Sequence, residues 1–149
     1  EITGFKDEAT RIPEAESMRR QIILATIAAV FMIILAGRAI AGDVRPITGT
    51  ELESMMSGKE PIVIVDVREP ELYIMGHIRG AINMPYETAH KRILKELSPM
   101  DSIVFVCHGG PMGDELGAIL AKKGYPRVFN LRGGMKKWTG PVTTGKQAP

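Results

Sequence analysis

The chain is 149 residues long, room for one modest globular domain, and carries 19 Lys and Arg against 17 Asp and Glu. Near-neutral charge, few aromatics and no basic stripe argue against a nucleic-acid partner. One cysteine leaves no intramolecular disulfide and no zinc-type Cys/His spacing, so neither a metal nor a cofactor is expected.

Residues 1–20 read as a polar segment. From Ile22 to Gly37 the sequence is IILATIAAVFMIILAG, without a charge, and a snorkelling Arg38 extends the run to Ala41, close to a bilayer-spanning length. A buried soluble helix would show a polar face, and this run shows none, so a transmembrane helix over 21–41 is expected. The rival is a cleavable signal peptide, with Arg19 and Arg20 as its basic region and Ala39-Ile40-Ala41 as its processing site. Lys6, Arg11, Arg19 and Arg20 precede the span and Arg38 and Arg45 follow it closely. This bias puts the N-terminus in the cytoplasm and the C-terminal domain on the periplasmic or lumenal side.

Residues 42–49, with Gly42, Pro46 and Gly49, read as a linker, 50–140 as an α/β domain and 141–149 as an extended tail. Thr50 and Glu53 fit a capping box before a short helix carrying Met55 and Met56. Ile62 to Val65 is a β-branched run suited to a strand buried on both faces of a parallel sheet. A short helix, a turn at Gly76 and an extended piece over Ala81 to Met84 follow. YETAHKRILKEL then places Ala89, Ile93, Leu94 and Leu97 at helical spacing. Ser102 to Val106 is a second central strand, and a helix over Asp114 to Lys123 ends at Gly124 as a left-handed cap. RVFNL is the last strand, RGG a turn, and MKKW a helical turn whose Trp138 packs back on the domain. The methionines, unaccompanied by His or Cys, read as core filler.

Cys107 ends a central strand, just before Gly109 and Gly110 and a helix. The first amides of that helix lack intrahelical partners, and ligands of open parallel sheets bind beyond the carboxyl ends of the strands. A thiolate there is stabilised by converging N–H groups, which makes Cys107 a candidate nucleophile; the alternative is an inert, buried thiol.

The pieces IVDVREPELYIMGHIRGAINMP, VFVCHGG and VFNLRGGMKKW, in that order, resemble a single-domain rhodanese, a sulfurtransferase, over about Val44 to Val142. The resemblance implies a small α/β fold with a central parallel sheet flanked by helices. It also implies a Cys107 that accepts a sulfane sulfur as a persulfide and passes it on. The anion or persulfide cradle would be the amides of His108, Gly109, Gly110, Met112 and Gly113, with Arg132 and Arg68 as candidate charge support. In the family the fifth residue after the cysteine is often basic and the next small and hydroxylic; here they are Met112 and Gly113. Pro111 removes one amide, and Asp114 and Glu115 oppose an anionic donor. Related phosphatases share the fold but rely on a loop arginine, which Met112 and Gly113 do not supply. His108 adds charge to the site when protonated or faces solvent, Asp66 and Arg68 suit a structural ion pair, and His77 suits a turn.

Two functions stay open. One is a membrane-anchored sulfurtransferase or persulfide carrier that is not an efficient thiosulfate enzyme. The other is a catalytically weak accessory subunit of an integral membrane complex.

Overall fold

A computed structural model describes residues 16–27 and 43–146. The chain divides into two units, Glu1–Arg38 and Ala39–Pro149. In the first, residues 16–27 form a helix, α1, whose Met18, Ile22, Ile23, Leu24 and Ile27 are exposed. Among the described residues no helix is long and apolar enough to cross a membrane. Residues 28–41 of the expected span lie outside the described residues.

The second unit is built on a five-stranded, wholly parallel sheet of order β1-β6-β5-β2-β4. These strands are β1 (Arg45–Ile47), β2 (Ile62–Asp66), β4 (Ile82–Asn83), β5 (Ser102–Val106) and β6 (Val128–Leu131). The helices are α2 (Gly49–Ser57), α3 (Pro70–Met75), α4 (Tyr86–Glu96), α5 (Pro111–Lys122) and α6 (Gly134–Lys137). A separate antiparallel pair joins β3 (His77–Ile78) to β7 (Val142–Thr143).

Every residue of β5 is buried, as its position between β6 and β2 requires. Strand alternation divides its side chains between two cores. Ile103, Phe105 and Cys107 pack with Ala89, Ile93, Leu116 and Leu120 from α4 and α5. Val104 and Val106 pack with Leu52, Tyr73, Ile78 and Trp138 on the opposite face. Each fully buried large aliphatic side chain contributes roughly 1.5–3 kcal/mol, so these two faces carry the fold.

Several boundaries differ from the sequence reading. Arg45–Ile47, read as linker, is an edge strand paired with Phe129 to Leu131. Pro46 concealed it, yet an edge strand tolerates the missing N–H. The capping box is Thr48 and Glu51 rather than Thr50 and Glu53: Glu51 N donates to Thr48 Oγ1 (3.2 Å), and Thr48 N donates to Glu51 Oε2 (2.6 Å). The two T-x-x-E frames overlap, and the earlier one lets Gly49 enter the helix and Leu52 reach full burial. Helix α5 starts at Pro111 rather than Asp114, because proline suits a first helical position whose N–H has no use. Within the tail, β7 is clasped to β3, and Gly145 N donates to Ile74 O (2.9 Å). Gly124 has φ +86, the left-handed cap expected of it, and Trp138 is buried.

Candidate functional site

Parallel strands align their carboxyl ends, so the segments after β2, β5 and β6 meet at one edge of the sheet. Cys107 follows Val106 there, and its side chain is completely buried, in the core beneath α4 and α5. The flanking His108 and Gly109 are exposed. The chain curls back over the sulfur through Gly110, whose φ of +133 strongly favours glycine, and the Gly110 N–H donates to Cys107 Sγ (2.8 Å).

Of the other cradle residues, Gly113 turns its N–H to Gly110 O (3.1 Å), closing the first turn of α5 instead of facing the sulfur. Met112 packs half-buried against the Cys107 core, so the position that is often basic in the resembled family is an apolar wall. Gly113 has no room for a side chain, since a Cβ would meet the Asn130 carboxamide and lie 3.0 Å from Phe105 Cβ.

That asparagine is a site residue the sequence reading passed over. Asn130 is the polar residue of the otherwise apolar, fully buried β6, and this contrast was the available signal. Its Nδ2 donates to Gly110 O (2.8 Å) and Asp114 Oδ1 (2.6 Å), tying the loop to the start of α5. Serving both acceptors leaves Asn130 Oδ1 buried without a partner among the described residues. Such a group costs about 1–3 kcal/mol, which the fold tolerates to hold the loop.

The loop is also fastened from α6. Met135 N donates to Cys107 O (2.8 Å) and Lys136 N to His108 O (3.2 Å). This contact requires glycine at 134, where φ is +54 and a Cβ would overlap Cys107 O and lie 2.8 Å from the His108 carbonyl carbon. Arg132 is exposed at the head of this turn, its N–H donating to Ile47 O (2.8 Å).

Arg68 is placed differently. Its Nε donates to Asp66 Oδ1 (2.9 Å), and its Nη2 donates to Asp66 Oδ2 (2.6 Å) and Gly76 O (2.7 Å). The buried guanidinium is thus spent on Asp66 and the α3 turn rather than lent to the sulfur, the structural pairing the sequence also allowed. His77 stacks on Tyr73 (centroids 3.6 Å apart), and its Nδ1 lies 2.8 Å from Tyr73 O. Burial, and secondarily the Asp66 charge, pushes the Tyr73 phenol up, and its hydroxyl donates to Ala81 O (2.5 Å).

On the α4 side, Tyr86 donates to Glu115 Oε2 (2.5 Å), and His90 Nε2 lies 3.3 Å from Oε1. The Tyr86 hydrogen bond, then that of His90, holds the Glu115 carboxyl below the usual glutamate value, while the same bond raises the Tyr86 phenol. Glu115 is therefore an ionised carboxylate fixed one turn beyond Met112. Among the described residues, no His, Cys, Asp and Glu side chains group to hold a metal.

The sequence model of the rhodanese-like domain matches residues 48–141. The chain belongs to the rhodanese-like family. By homology it stands with sulfur carriers and sulfurtransferases. It is 32% identical over 100 residues to the candidate sulfur carrier protein YrkF of Bacillus subtilis (strain 168), covering 67% of this chain and 54% of that one. The chain thus spans about half of that relative's length. It is 34% identical over 82 residues to the thiosulfate sulfurtransferase PspE of Escherichia coli (strain K12), covering 54% of this chain and 78% of that one. The crystal structure of a rhodanese-like domain protein from Staphylococcus aureus matches with a TM-score of 0.61 at 29% identity, covering 68% of this chain and 98% of that one. The α/β architecture with a central parallel sheet is therefore a rhodanese-like fold, and Cys107 heads the loop of this rhodanese-like domain.

Proposed function

We propose that this chain is a membrane-anchored sulfur carrier or sulfurtransferase that works through a persulfide on Cys107 and uses thiosulfate poorly. The observation that carries the reading is the Gly110 N–H donating to Cys107 Sγ at the head of α5, a contact suited to holding a sulfur anion. In the step, the Cys107 thiolate attacks the outer sulfur of a donor R–S–SH. The donor S–S bond breaks, R–S⁻ leaves, and Cys107–S–SH forms with its proton retained. An acceptor thiolate attacks that outer sulfur in turn, regenerating the Cys107 thiolate, so no external oxidant or reductant is needed.

Poor use of thiosulfate is supported by the apolar Met112 wall and by Glu115, kept ionised by Tyr86 and His90. An exposed like charge of this kind disfavours an anionic donor. Anchoring is supported by the uncharged run Ile22 to Gly37 and by the exposed apolar side chains of α1. Flanking charges favour a cytoplasmic N-terminus and a catalytic domain on the periplasmic or lumenal side.

The second reading, an accessory subunit of an integral membrane complex, is favoured by the full burial of Cys107, which closes the sulfur to solvent. Incubation with an organic persulfide followed by intact mass measurement separates the two. A gain of one sulfur atom that is lost in Cys107→Ser supports the carrier. No gain with persulfide, polysulfide or thiosulfate leaves the accessory role, which co-purification with a stoichiometric membrane complex would support. Thiosulfate turnover matching that of an organic persulfide refutes the donor preference.

A further inference from the structure

The charges around the loop are not equivalent. On the α5 side, Asp114 is held by Asn130, and Glu115 by Tyr86 and His90. On the α6 side, Arg132, Lys136 and Lys137 are all exposed, and among the described residues none of their side chains is ion-paired or hydrogen-bonded. Glu51, whose carboxyl senses Arg132, is engaged first by Thr48.

The backbone that carries these three cations is tied to the Cys107 loop and to the edge strand. The Lys136 N–H is bonded to His108 O, next to the nucleophile. The Lys137 stem folds over Gly133, its Cγ 2.7 Å from where a Cβ would stand, and Gly133 N borders Gly110, the donor to Sγ. Arg132 is tied to the edge strand through Ile47 O. The loop thus has an acidic flank hydrogen-bonded from within the chain and a basic flank whose side chains make no ion pair or hydrogen bond among the described residues.

We propose that Arg132, Lys136 and Lys137 form a docking surface for an acidic segment of the protein thiol that exchanges sulfur with Cys107. The proposal rests on the carrier reading and names its partner class. A protein fits better than a nucleic acid. A polyanion tracking across the mouth meets Asp114 and Glu115, and the buried Phe129 and Trp138 offer no surface for base stacking. A partner carrying both signs of charge meets complementary groups on both flanks.

The test uses the full chain loaded at Cys107 with an organic persulfide and three synthetic peptide acceptors. Each peptide has one cysteine, flanked by Asp and Glu, by Ser and Gly, or by Lys. At peptide concentrations well below saturation, transfer to the acidic peptide is expected to be about three- to tenfold faster than to the neutral one, from a few exposed ion pairs. The preference should collapse near 1 M salt, where the screening length is about 3 Å. The double variant Lys136→Glu/Lys137→Glu should reverse the order of acidic and basic peptides. Equal rates for all three peptides, or no effect of the double variant, overturn the proposal. So does a single-stranded oligonucleotide that binds more tightly than the acidic peptide and displaces it.

Fluorescence anisotropy of the labelled acidic peptide on Cys107→Ser, with serine replacing the peptide's cysteine, reads docking without chemistry. A chain that takes no sulfur yet binds this peptide, with Lys136→Glu/Lys137→Glu abolishing the binding, sinks the carrier reading alone. A chain that takes sulfur but ignores peptide charge sinks the docking surface alone.

Discussion

Replacing Gly134 by alanine tests whether α6 holds the Cys107 loop closed. Two costs add at this position. The left-handed φ of +54 costs a non-glycine residue about 1–2 kcal/mol. The new Cβ also overlaps Cys107 O, so α6 must retreat, loosening the Met135 to Cys107 and Lys136 to His108 hydrogen bonds at about 0.5–1.5 kcal/mol each. The expected loss is about 2–5 kcal/mol, measured by urea denaturation with Trp138 fluorescence. Gly80→Ala is the internal control, because Gly80 has φ +78 but nothing within 4 Å of a Cβ, and it should show the backbone cost alone. If about 2 kcal/mol of the Gly134→Ala loss falls on loop closure, the open population rises about 30-fold. Reaction of Cys107 with an aromatic disulfide under native conditions should accelerate correspondingly. A Gly134→Ala chain no less stable than Gly80→Ala, with unchanged thiol reactivity, would falsify the clamp.

Asp66→Asn strips the buried Arg68 of its counter-charge and should cost about 3–5 kcal/mol in urea denaturation; a loss under 1 kcal/mol would show that the pair is dispensable. Leu120→Ala opens a cavity under the face of the sheet that holds Cys107, with an expected loss of about 2–5 kcal/mol by the same assay. An NMR titration should place the Glu115 midpoint below the ordinary glutamate value, and Tyr86→Phe should move it up. Because the folded value is depressed, the Tyr86 and His90 contacts stabilise the chain above the unfolded glutamate pKa. That contribution fades as pH falls through the folded value, and acid unfolding data for Tyr86→Phe should show less of this dependence.

The parts of the fold legible in the sequence were those with strong local periodicity. The apolar runs of β2 and β5, the amphipathic α4 and the left-handed Gly124 announce themselves within a few residues. Strand β1 did not, because Pro46 reads as linker until β6 is available to make it an edge. The two-residue β7 is likewise defined by its partner β3 rather than by its own composition. At the site, Cys107 and Gly110 were visible as a thiol before a glycine turn. The hold on that turn came from Asn130 and Gly134, respectively 23 and 27 positions along from Cys107. Both roles depend on parallel strands delivering distant segments to one edge, which no local pattern encodes. Arg68 could be read two ways, as an ion-pair partner of Asp66 or as charge support for the sulfur, and its hydrogen bonds to Asp66 show the first.

Complete burial of Cys107 gives any sulfur it carries a residence time of its own. On the carrier reading, a persulfide enclosed behind Gly110 and α6 meets small thiols and water only when the loop lifts, so leakage and delivery share one gate. We expect transfer to different acceptors, raised to saturation, to converge on a common limiting rate, that of opening. Limiting rates that tracked the nucleophilicity of each acceptor would show that the gate stands open.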